Sequence, residues 1–270
     1  MKSEIMKVKL GIIGYGVVGK AAEKTFSKFY EVIKYDKYKS LDDFSKLNEA
    51  DMVFIMVPTP FDTITLSSDD FAVIESLHKL EEINFDSSKP VIIKSTVIPG
   101  SCNKYLSNFN LEIVFNPEFL RESTTPFEDF ENQHTVVLGT DNSSIFDKIK
   151  RMYERVLNKD TKYFQTSPIT AEMVKISQNV TLASRVSIAN IIYEACSEFG
   201  ADYDKLVEIA FDRFDILGPH MVKVPGPDGK KGFGGKCLPK DISAFNSLYR
   251  HDILDKIIKY NKSLRDDLEN

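Results

Sequence analysis

The sequence predicts an α/β fold in which a doubly wound parallel sheet is followed by a smaller all-helical domain. Three observations lead to it: short apolar runs alternate with amphipathic stretches, a glycine-rich turn follows the first run, and long helical patterns replace the runs later in the chain. Some runs, such as residues 52–57, are apolar on both faces, which is typical of parallel strands covered by helices on both sides. We therefore expect a Rossmann domain over residues 1–165 and a helical domain over residues 166–270.

The predicted elements of the first domain follow the apolar pattern. The strands are expected at residues 9–14, 31–36, 51–57, 90–96, 111–115 and 135–139. The helices between them include residues 17–28, 69–82 and 143–156.

The second domain begins with a helix start signal. Ser167 and Pro168 are typical of an N-cap and a first helical position, and Gly200 is typical of a helix stop after Phe199. A short helix, a loop rich in Gly and Pro, and a last helix are expected after it, at residues 202–211, 218–235 and 241–270.

Composition excludes several function classes. The 270 residues are 42% hydrophobic and 28% charged, as in a soluble globular protein of one large or two small domains. The net charge of −5 gives no support to binding of nucleic acid or of a membrane surface. No apolar run has the length of a membrane span, and the start of the sequence lacks the pattern of a signal peptide. Three cysteines and no metal-ligand cluster lead us to expect a cytoplasmic protein without a bound metal.

The turn after the first predicted strand reads Gly-Tyr-Gly-Val-Val-Gly, a pattern that lets a pyrophosphate approach the N-terminus of a helix. Asp36 ends the second predicted strand, where a carboxylate can accept hydrogen bonds from ribose hydroxyls and repels a 2′-phosphate. We therefore predict NAD rather than NADP as the cofactor. The residues predicted to bind it are Gly14, Tyr15, Gly16, Val17, Val18, Gly19 and Asp36.

A second motif, Phe-Asn-Pro-Glu-Phe-Leu-Arg-Glu at residues 115–122, follows the fifth predicted strand. Open α/β sheets build their sites at the carboxyl ends of strands. Glu118, Arg121 and Glu122 make this loop a candidate site, although a solvated loop has a similar composition.

A third group lies on the long helix. Glu172, Lys175 and Asn179 share one helical face, among apolar neighbours. Lys175 and Asn179 can both address one substrate oxygen from that face, and a solvent-facing stripe is the alternative.

The fourth motif, Gly-Phe-Gly-Gly-Lys-Cys-Leu-Pro-Lys-Asp, occupies residues 232–241. Its glycines permit close approach of the backbone to a ligand. Cys237 precedes a predicted helix, where a thiolate is favoured, and Asp241 can orient a water or a proton carrier. Cys102 and Cys196 are expected to be buried and inert.

Together with Val-Pro-Thr-Pro at residues 57–60 and Lys-Ser-Thr-Val at residues 94–97, these motifs resemble the UDP-glucose/GDP-mannose dehydrogenases, and most closely the UDP-glucose 6-dehydrogenases. The motifs occur in family order along the whole chain. The resemblance implies a four-electron, NAD-dependent oxidation at C6 of a nucleotide-linked hexose, with UDP-glucose as the expected substrate and UDP-glucuronate as the product. Lys236 favours UDP-glucose, because relatives that act on N-acetylated sugars tend to have His there.

The resemblance also implies roles. Cys237 would attack an aldehyde to form a thiohemiacetal, whose oxidation gives a thioester that water hydrolyses. Lys175 would transfer a proton or stabilise an oxyanion, and Asn179 and Asp241 would hold the water and the polar network.

The hydrolytic step would use Glu118 or Glu122, which the sequence does not rank, together with Thr96. Thr59, Thr96 and Glu122 are expected along the cofactor. The residues expected along the sugar nucleotide are Glu118, Phe119, Leu120, Arg121, Lys175, Asn179, Gly232, Phe233, Gly234 and Gly235.

Two departures from the family pattern affect the nucleotide half of the substrate site. The family usually has a third, nucleotide-binding domain, which we do not expect in a chain that ends at Asn270. Asp215 stands near the place of a family Arg, and Lys230 and Lys231 either meet a diphosphate instead or are solvated turn charges.

Two other functions remain open at this point. A two-domain β-hydroxyacid dehydrogenase also uses Lys and Asn on a helix but needs no catalytic Cys. A non-catalytic nucleotide-binding module would have lost its chemistry with the third domain. Because helix 169–199 is apolar on more than one face, and because the family resemblance implies it, we also predict a homodimer built on this helix.

Overall fold

The computed structural model describes residues 8–62, 67–120, 125–211, 228–234, 238–239, 242, 246 and 250–266. The chain divides into two compact units, Met1–Val180 and Thr181–Asn270. The domain boundary expected after residue 165 stays a prediction, and the two units are described one at a time.

A seven-stranded sheet organises the first unit. In chain order the strands are β1 (Lys9–Ile13), β2 (Glu31–Tyr35), β3 (Met52–Ile55), β4 (Phe61–Asp62), β5 (Ser67–Ser68), β6 (Pro90–Ile93), β7 (Glu112–Phe115), β8 (Thr135–Gly139) and β9 (Lys162–Thr166). The spatial order of the sheet is β2-β1-β3-β6-β7-β8-β9, and β4 pairs with β5 in a separate antiparallel ribbon. Every neighbouring pair of the large sheet is parallel except β7 and β8. The predicted doubly wound α/β architecture is confirmed, with one antiparallel junction that the sequence did not indicate.

Helices cover both faces of this sheet. They are α1 (Val17–Phe26), α2 (Phe71–Glu82), α3 (Ser101–Asn108), α4 (Pro126–Glu131) and α5 (Ser143–Glu154), with a 3₁₀ turn at Phe44–Glu49. Alternate residues of β3 enter two different hydrophobic cores: Val53 and Ile55 pack in one, Met52 and Phe54 in the other. Burial on both faces is the reason that the central strands are apolar without alternation.

Two predicted strands run past their observed ends. The strands expected at 51–57 and 90–96 end at Ile55 and Ile93. After β3 the apolar pattern continues because the loop residue Met56 is also buried, whereas the residues directly after β6, Lys94 and Ser95, are polar although buried. β9 was not predicted, because it lies at the sheet edge and most of its side chains are exposed.

The second unit contains the end of the long helix α6 (Pro168–Phe199), then α7 (Tyr203–Ala210) and α8 (Asp252–Asp266). The limits of α6 match the prediction, and Gly200 takes the left-handed conformation (φ +69°) that ends it. The continuous helix predicted from Asp241 to the end is wrong, since Arg250 and His251 are not helical.

A cap explains the break before α8. Asn246 Oδ1 accepts a hydrogen bond from His251 N (3.0 Å), and His251 Nδ1 accepts one from Ile253 N (3.2 Å). These side-chain bonds start α8 as a separate helix at Asp252. Within the described part of the chain, no helix is both long enough and apolar enough to cross a bilayer.

Candidate functional site

The glycine-rich turn lies where the strand order reverses, between β1 and β3. Gly14 follows β1 with a φ of +93°, and its N donates a hydrogen bond to Tyr35 O (2.9 Å). A Cβ on Gly14 would lie 2.4 Å from the carbonyl oxygen of Met56, and one on Gly19 would lie 2.2 Å from that of Gly14. The backbone itself therefore requires glycine at both positions. Open α/β sheets bind their ligands at this kind of switch point, outside the carboxyl ends of the strands.

The N-terminus of α1 is suited to an anion. Among the residues that the structure describes, no side chain caps α1 at Gly16, and its first turn carries no acidic residue. A Cβ on Gly16 would meet nothing within 4 Å, so the side of the turn at Gly16 is open. Free amide groups at a helix start attract phosphate oxygens, and the missing side chain lets them come close.

Asp36 follows β2 and belongs to the same turn. Its Oδ2 accepts a hydrogen bond from Tyr15 N (2.8 Å), and its Oδ1 accepts one from Tyr38 N (3.0 Å). Lys39 Nζ lies 3.2 Å from Oδ2. Burial alone raises the pKa of Asp36, but these three hydrogen bonds together outweigh it and hold the pKa below its ordinary value. The carboxylate is therefore charged, and its remaining lone pairs can accept ribose hydroxyls.

A cavity of about 170 Å³ adjoins Asp36. Its walls include Val57, Pro58 and Phe71. The mostly apolar walls of this cavity, beside the Asp36 carboxylate, suit the flat base of a nucleoside.

A buried polar network lies under the second candidate loop. Lys94 and Asn116 directly follow β6 and β7 and are buried. Lys94 Nζ donates to Asn116 Oδ1 (3.0 Å) and lies 3.0 Å from Glu118 Oε2, in an ion pair that lacks hydrogen-bond alignment. Tyr153 OH donates to the same Asn116 oxygen (2.7 Å), and Asn116 Nδ2 donates to Val137 O (2.9 Å). A fully buried lysine needs such partners, because an unpaired buried charge is strongly destabilising.

The network fixes Glu118. Its Oε1 accepts hydrogen bonds from Phe119 N (2.9 Å) and Leu120 N (3.1 Å), while Oε2 meets Lys94. The backbone of its own loop therefore holds one carboxylate oxygen, and a buried cation faces the other. This is an ordered site, which excludes the solvated-loop interpretation for Glu118.

Lys175, on α6, completes the charged group. Its Nζ lies 5.4 Å from the centroid of the Phe119 ring. Burial lowers the pKa of Lys175 below its ordinary value, the charge of Glu118 opposes that change, and the charge of Lys94 adds to it. A half-buried amine of lowered pKa can exchange a proton more readily than a surface lysine. Asn179, one turn further along α6, has an exposed side chain.

Glu172 has its partners outside this charged group. It is fully buried, and its two oxygens accept hydrogen bonds from Gly100 N (2.5 Å) and Cys102 N (2.7 Å). Glu172 thus caps the N-terminus of α3, and its role is to tie α6 to that helix.

Thr59 and Thr96 are neighbours at the carboxyl ends of β3 and β6. Thr59 Oγ1 donates to Thr96 O (2.6 Å), and both residues are half-buried. Further along the same edge, a cavity of about 710 Å³ opens beside Glu118 and Phe119, and Val174 of α6 lines it.

In the second unit, the described glycine segment 228–234 packs on α8. Asn261 Oδ1 accepts from Phe233 N (2.7 Å), and Asn261 Nδ2 donates to Phe233 O (3.0 Å). Arg265 donates to Gly232 O (2.9 Å) and to Asp228 (2.7 Å). The last three residues of this segment, 232–234, are the first three of the motif that contains Cys237.

Several predicted residues lie outside the described residues, and their roles stay predictions: Arg121, Glu122, Gly235, Cys237 and Asp241. Cys102 and Cys196 are confirmed as free and buried. Burial, followed by the charge of Glu172, raises the pKa of the Cys102 thiol.

Sequence reasoning missed Lys94 and Asn116 as site residues, although both stood in quoted motifs. A signal was present: each is a polar residue directly after a wholly apolar strand, at the edge where sites form. It also missed Asn261 and Arg265, for which the sequence near the glycine segment holds no signal.

Comparisons with known proteins agree with this geometry. Residues 20–157 match the NAD binding domain of the UDP-glucose/GDP-mannose dehydrogenase family, and residues 169–263 match its central domain. The chain belongs to this family. Its first unit therefore carries the family's NAD-binding domain, and the open turn at Gly16 and the Asp36 carboxylate fit that cofactor.

A UDP-glucose 6-dehydrogenase of Rickettsia typhi is 32% identical over 245 residues, which are 86% of this chain and 54% of the relative. The chain spans about half the length of the curated relatives it matches.

Two solved structures share the fold. A GDP-mannose dehydrogenase from Pseudomonas aeruginosa superposes with a TM-score of 0.80 at 23% identity, over 94% of this chain and 68% of that one. A UDP-glucose dehydrogenase from Pyrobaculum islandicum superposes with a TM-score of 0.67 at 22% identity, over 97% and 69%.

Proposed function

We propose that this protein oxidises the C6 alcohol of a nucleotide sugar to the carboxylate with NAD, and that its substrate is UDP-glucose. The observation that carries the proposal is the buried Glu118 carboxylate, held by Lys94 and within electrostatic reach of Lys175, in a chain of the nucleotide-sugar dehydrogenase family. Such a group of opposite charges with a lowered lysine pKa is typical of catalytic sites.

The residues that would hold NAD are on the first unit. The amides at the start of α1 would bind its pyrophosphate, Asp36 its adenosine ribose, and Thr59 and Thr96 would lie along it. When bound, NAD supplies the hydride acceptor for each of the two oxidations.

Lys175 serves the first oxidation. As the C6 alcohol loses its hydride it must also lose its hydroxyl proton, and a neutral Lys175 amine can take it up. The lowered pKa of Lys175 increases the fraction of that neutral form, and Asn179 would donate a hydrogen bond to the same substrate oxygen.

Cys237 serves the second oxidation. Its thiolate would attack the aldehyde, so that a sulfur–carbon bond forms and the aldehyde oxygen takes the proton held by Lys175 to become the hydroxyl of a thiohemiacetal. Loss of the hydride from that carbon, and of the hydroxyl proton back to the Lys175 amine, would leave a thioester. Asp241 would hold a water in the polar network around this centre.

The last step is hydrolysis of the thioester. Glu118 or Glu122 would take a proton from the attacking water while Thr96 helps to hold it, and Cys237 leaves as the thiolate. Glu118 is suited to this role because its loop backbone and Lys94 fix the carboxylate.

For the sugar nucleotide we propose the binding residues that the sequence predicts. The structure describes most of these residues, among them Glu118, Phe119, Leu120, Lys175, Gly232, Phe233 and Gly234. Arg121 and Gly235 complete the proposed set.

A panel of UDP-, GDP- and N-acetylated nucleotide sugars with NAD tests the proposal. We expect NADH formation with UDP-glucose and two NADH per acid produced. One NADH per substrate, with no effect of thiol alkylation, would instead indicate a β-hydroxyacid dehydrogenase. Binding of NAD and a sugar nucleotide without turnover would indicate a non-catalytic module.

We also propose a homodimer built on α6. Exposed apolar side chains are spread along this helix: Ile169, Met173, Val174, Val180, Leu182, Tyr193 and Phe199. A second copy of the chain is the proposed cover for them. Light scattering at micromolar concentration tests this, and a strictly monomeric mass contradicts it.

A further inference from the structure

The described glycine segment of the second unit is tied to α8 by two side chains. Asn261 makes a two-way pair with the backbone of Phe233, accepting from its N (2.7 Å) and donating to its O (3.0 Å). Arg265 reaches two points of the segment, Gly232 O (2.9 Å) and the Asp228 carboxylate (2.7 Å). Four hydrogen bonds thus fix a stretch of seven residues, 228–234.

Two glycines of this segment, Gly232 and Gly234, face those side chains. Gly232 has a φ of +70°, and a Cβ there would lie 2.5 Å from Asn261 Oδ1. A Cβ on Gly234 would lie 2.6 Å from Arg265 Nη2. The sequence predicted that these glycines let the backbone approach a ligand closely. At these two residues the structure shows such a close approach to side chains of α8.

The anchor lies close to the cysteine along the chain. Cys237 is four residues after Phe233, so at most about 14 Å of extended backbone separates them. Fixing the peptide at Phe233 therefore limits the region that the thiol can sample, and loss of the anchor multiplies its accessible positions.

We propose that Asn261 and Arg265 are positioning residues for Cys237: by anchoring residues 228–234 they restrict the reach of its thiol. The proposal rests on the function proposed for Cys237. Neither residue is required to touch the substrate, because each acts through the segment 228–234.

The alternative is that the two side chains only stabilise the second unit. A merely structural role would lower the melting temperature in proportion to any loss of activity. A positioning role instead lowers kcat while the melting temperature and the KM for NAD stay near those of the unmodified protein.

The experiment uses the full chain with Asn261→Ala, Arg265→Ala and the conservative Asn261→Asp and Arg265→Lys. Asn261→Asp keeps the acceptor for Phe233 N and loses the donor to Phe233 O. Lys259→Ala, an exposed change on the same helix, is the matched control. Readouts are hydrogen exchange of the peptide containing 228–234, steady-state kinetics, and the rate of Cys237 alkylation by iodoacetamide, located by mass spectrometry.

We expect both alanine variants to exchange this peptide faster and to lose kcat roughly 10- to 100-fold, as a small misplacement of a reacting group does. The conservative variants should recover part of that loss, and Lys259→Ala should behave as the unmodified protein. Unchanged exchange in both alanine variants overturns the anchor itself. Faster exchange with unchanged kcat overturns the positioning role.

The alkylation rate keeps the inference separate from the proposed function. If no nucleotide sugar is turned over, the oxidation proposal fails, yet the anchor still predicts a change in the Cys237 alkylation rate of at least about threefold in the alanine variants. An unchanged rate there overturns the inference. Should either alanine variant fail to fold, the matching conservative variant carries the same test.

Discussion

The two glycine motifs of this protein achieve close packing in different ways. In the first unit, the missing side chains of Gly14 and Gly19 make room for main-chain carbonyl groups. In the second, the missing side chains of Gly232 and Gly234 make room for the ends of two side chains of α8. A main-chain carbonyl directly after a sheet strand cannot easily move aside, whereas the end of an Arg or Asn side chain can.

The difference separates a rigid site from an adjustable one. The glycine-rich turn at residues 14–19, called the cofactor turn below, is held between strands β1 and β3 and the start of α1, so its geometry follows from the fold itself. The segment before Cys237 depends on contacts with residues 28 and 33 positions away in the chain. Substitutions at Gly14 and Gly19 should therefore act on stability, and one at Gly234 on activity.

The largest expected effect belongs to the second motif. Cys237→Ala should lower acid formation by several orders of magnitude, because the covalent route to the thioester is lost. NAD binding should stay near normal, and a single slow hydride transfer can remain. Single-turnover NADH release with mass spectrometry of the enzyme measures this.

Two further variants serve as comparisons for that result. Cys196→Ala, the same change at a buried cysteine, should leave acid formation intact. Lys175→Ala should slow both oxidations, since both place charge on the same oxygen. Full acid production by Cys237→Ala would rule out the thioester route and revive the β-hydroxyacid dehydrogenase interpretation.

The next effect concerns the rigid motif. Gly19→Ala places a methyl group against the Gly14 carbonyl and should cost about 3 kcal/mol of unfolding free energy, at the upper end for overpacking. Gly16→Ala is the matched control, because its Cβ meets nothing within 4 Å. It should unfold like the unmodified protein and bind NAD more weakly. Thermal unfolding measures the stability of the two variants, and NAD titration measures their affinity. Equal stability losses in the two variants would contradict the role of the Gly14 carbonyl contact.

The same contrast explains what the sequence could predict. The cofactor turn was predictable because its partners are local: three glycines within six residues, and Asp36 at the end of the next strand. Central strands were predictable because burial on both faces leaves a continuous apolar run. β9 was not, since an exposed edge strand has no such pattern.

The rest depended on contacts between distant residues. Lys94 and Glu118 come from loops after two different strands, and only the sheet order brings them together. Glu172 shares a helical face with Lys175, but the packing of α3 against α6 decides its partner. Spacing within one helix does not determine what that helix packs against.

The third prediction tests the charge of the cofactor turn. Asp36→Ala should weaken NAD binding by about 1–3 kcal/mol, the cost of leaving polar groups unpaired. It should also narrow the preference for NAD over NADP, because the repulsion of a 2′-phosphate is lost. Titrations with both cofactors measure this, and equal use of NADP by the unmodified protein contradicts the role of Asp36.

The fourth prediction concerns the contact between Gly234 and Arg265 in the second glycine motif. Gly234→Ala should displace the Arg265 guanidinium from Gly232 O at little cost in stability, because a flexible side chain can move. The expected loss in kcat is roughly tenfold. A rise in the KM for the nucleotide sugar with unchanged kcat would show instead that residue 234 acts through its proposed contact with the ligand and not through Arg265.

The smallest expected effect is a pH dependence of stability at two carboxylates, Asp36 beside the cofactor turn and Asp228 in the segment 228–234. In the folded protein the pKa of Asp36 lies below its ordinary value of 3.8, because its hydrogen bonds outweigh the effect of burial. A carboxyl group of this kind adds stability that is fully present above the ordinary pKa and is lost as the pH falls through the lower folded value. Asp36→Asn should therefore be less stable than the unmodified protein near neutral pH, by about 1 kcal/mol.

That difference should shrink as the pH falls below 3.8, where the unmodified protein also loses the charge. Asp228→Asn is the comparison in the second unit: the Arg265 hydrogen bond lowers the pKa of Asp228 too, but this carboxylate is exposed. Solvent and salt screen exposed pairs, so its effect should be smaller and should fade further as salt is added. Urea unfolding between pH 3 and pH 7 measures both variants. A difference for Asp36→Asn that stays constant over this range would show that the charge of Asp36 does not stabilise the cofactor turn.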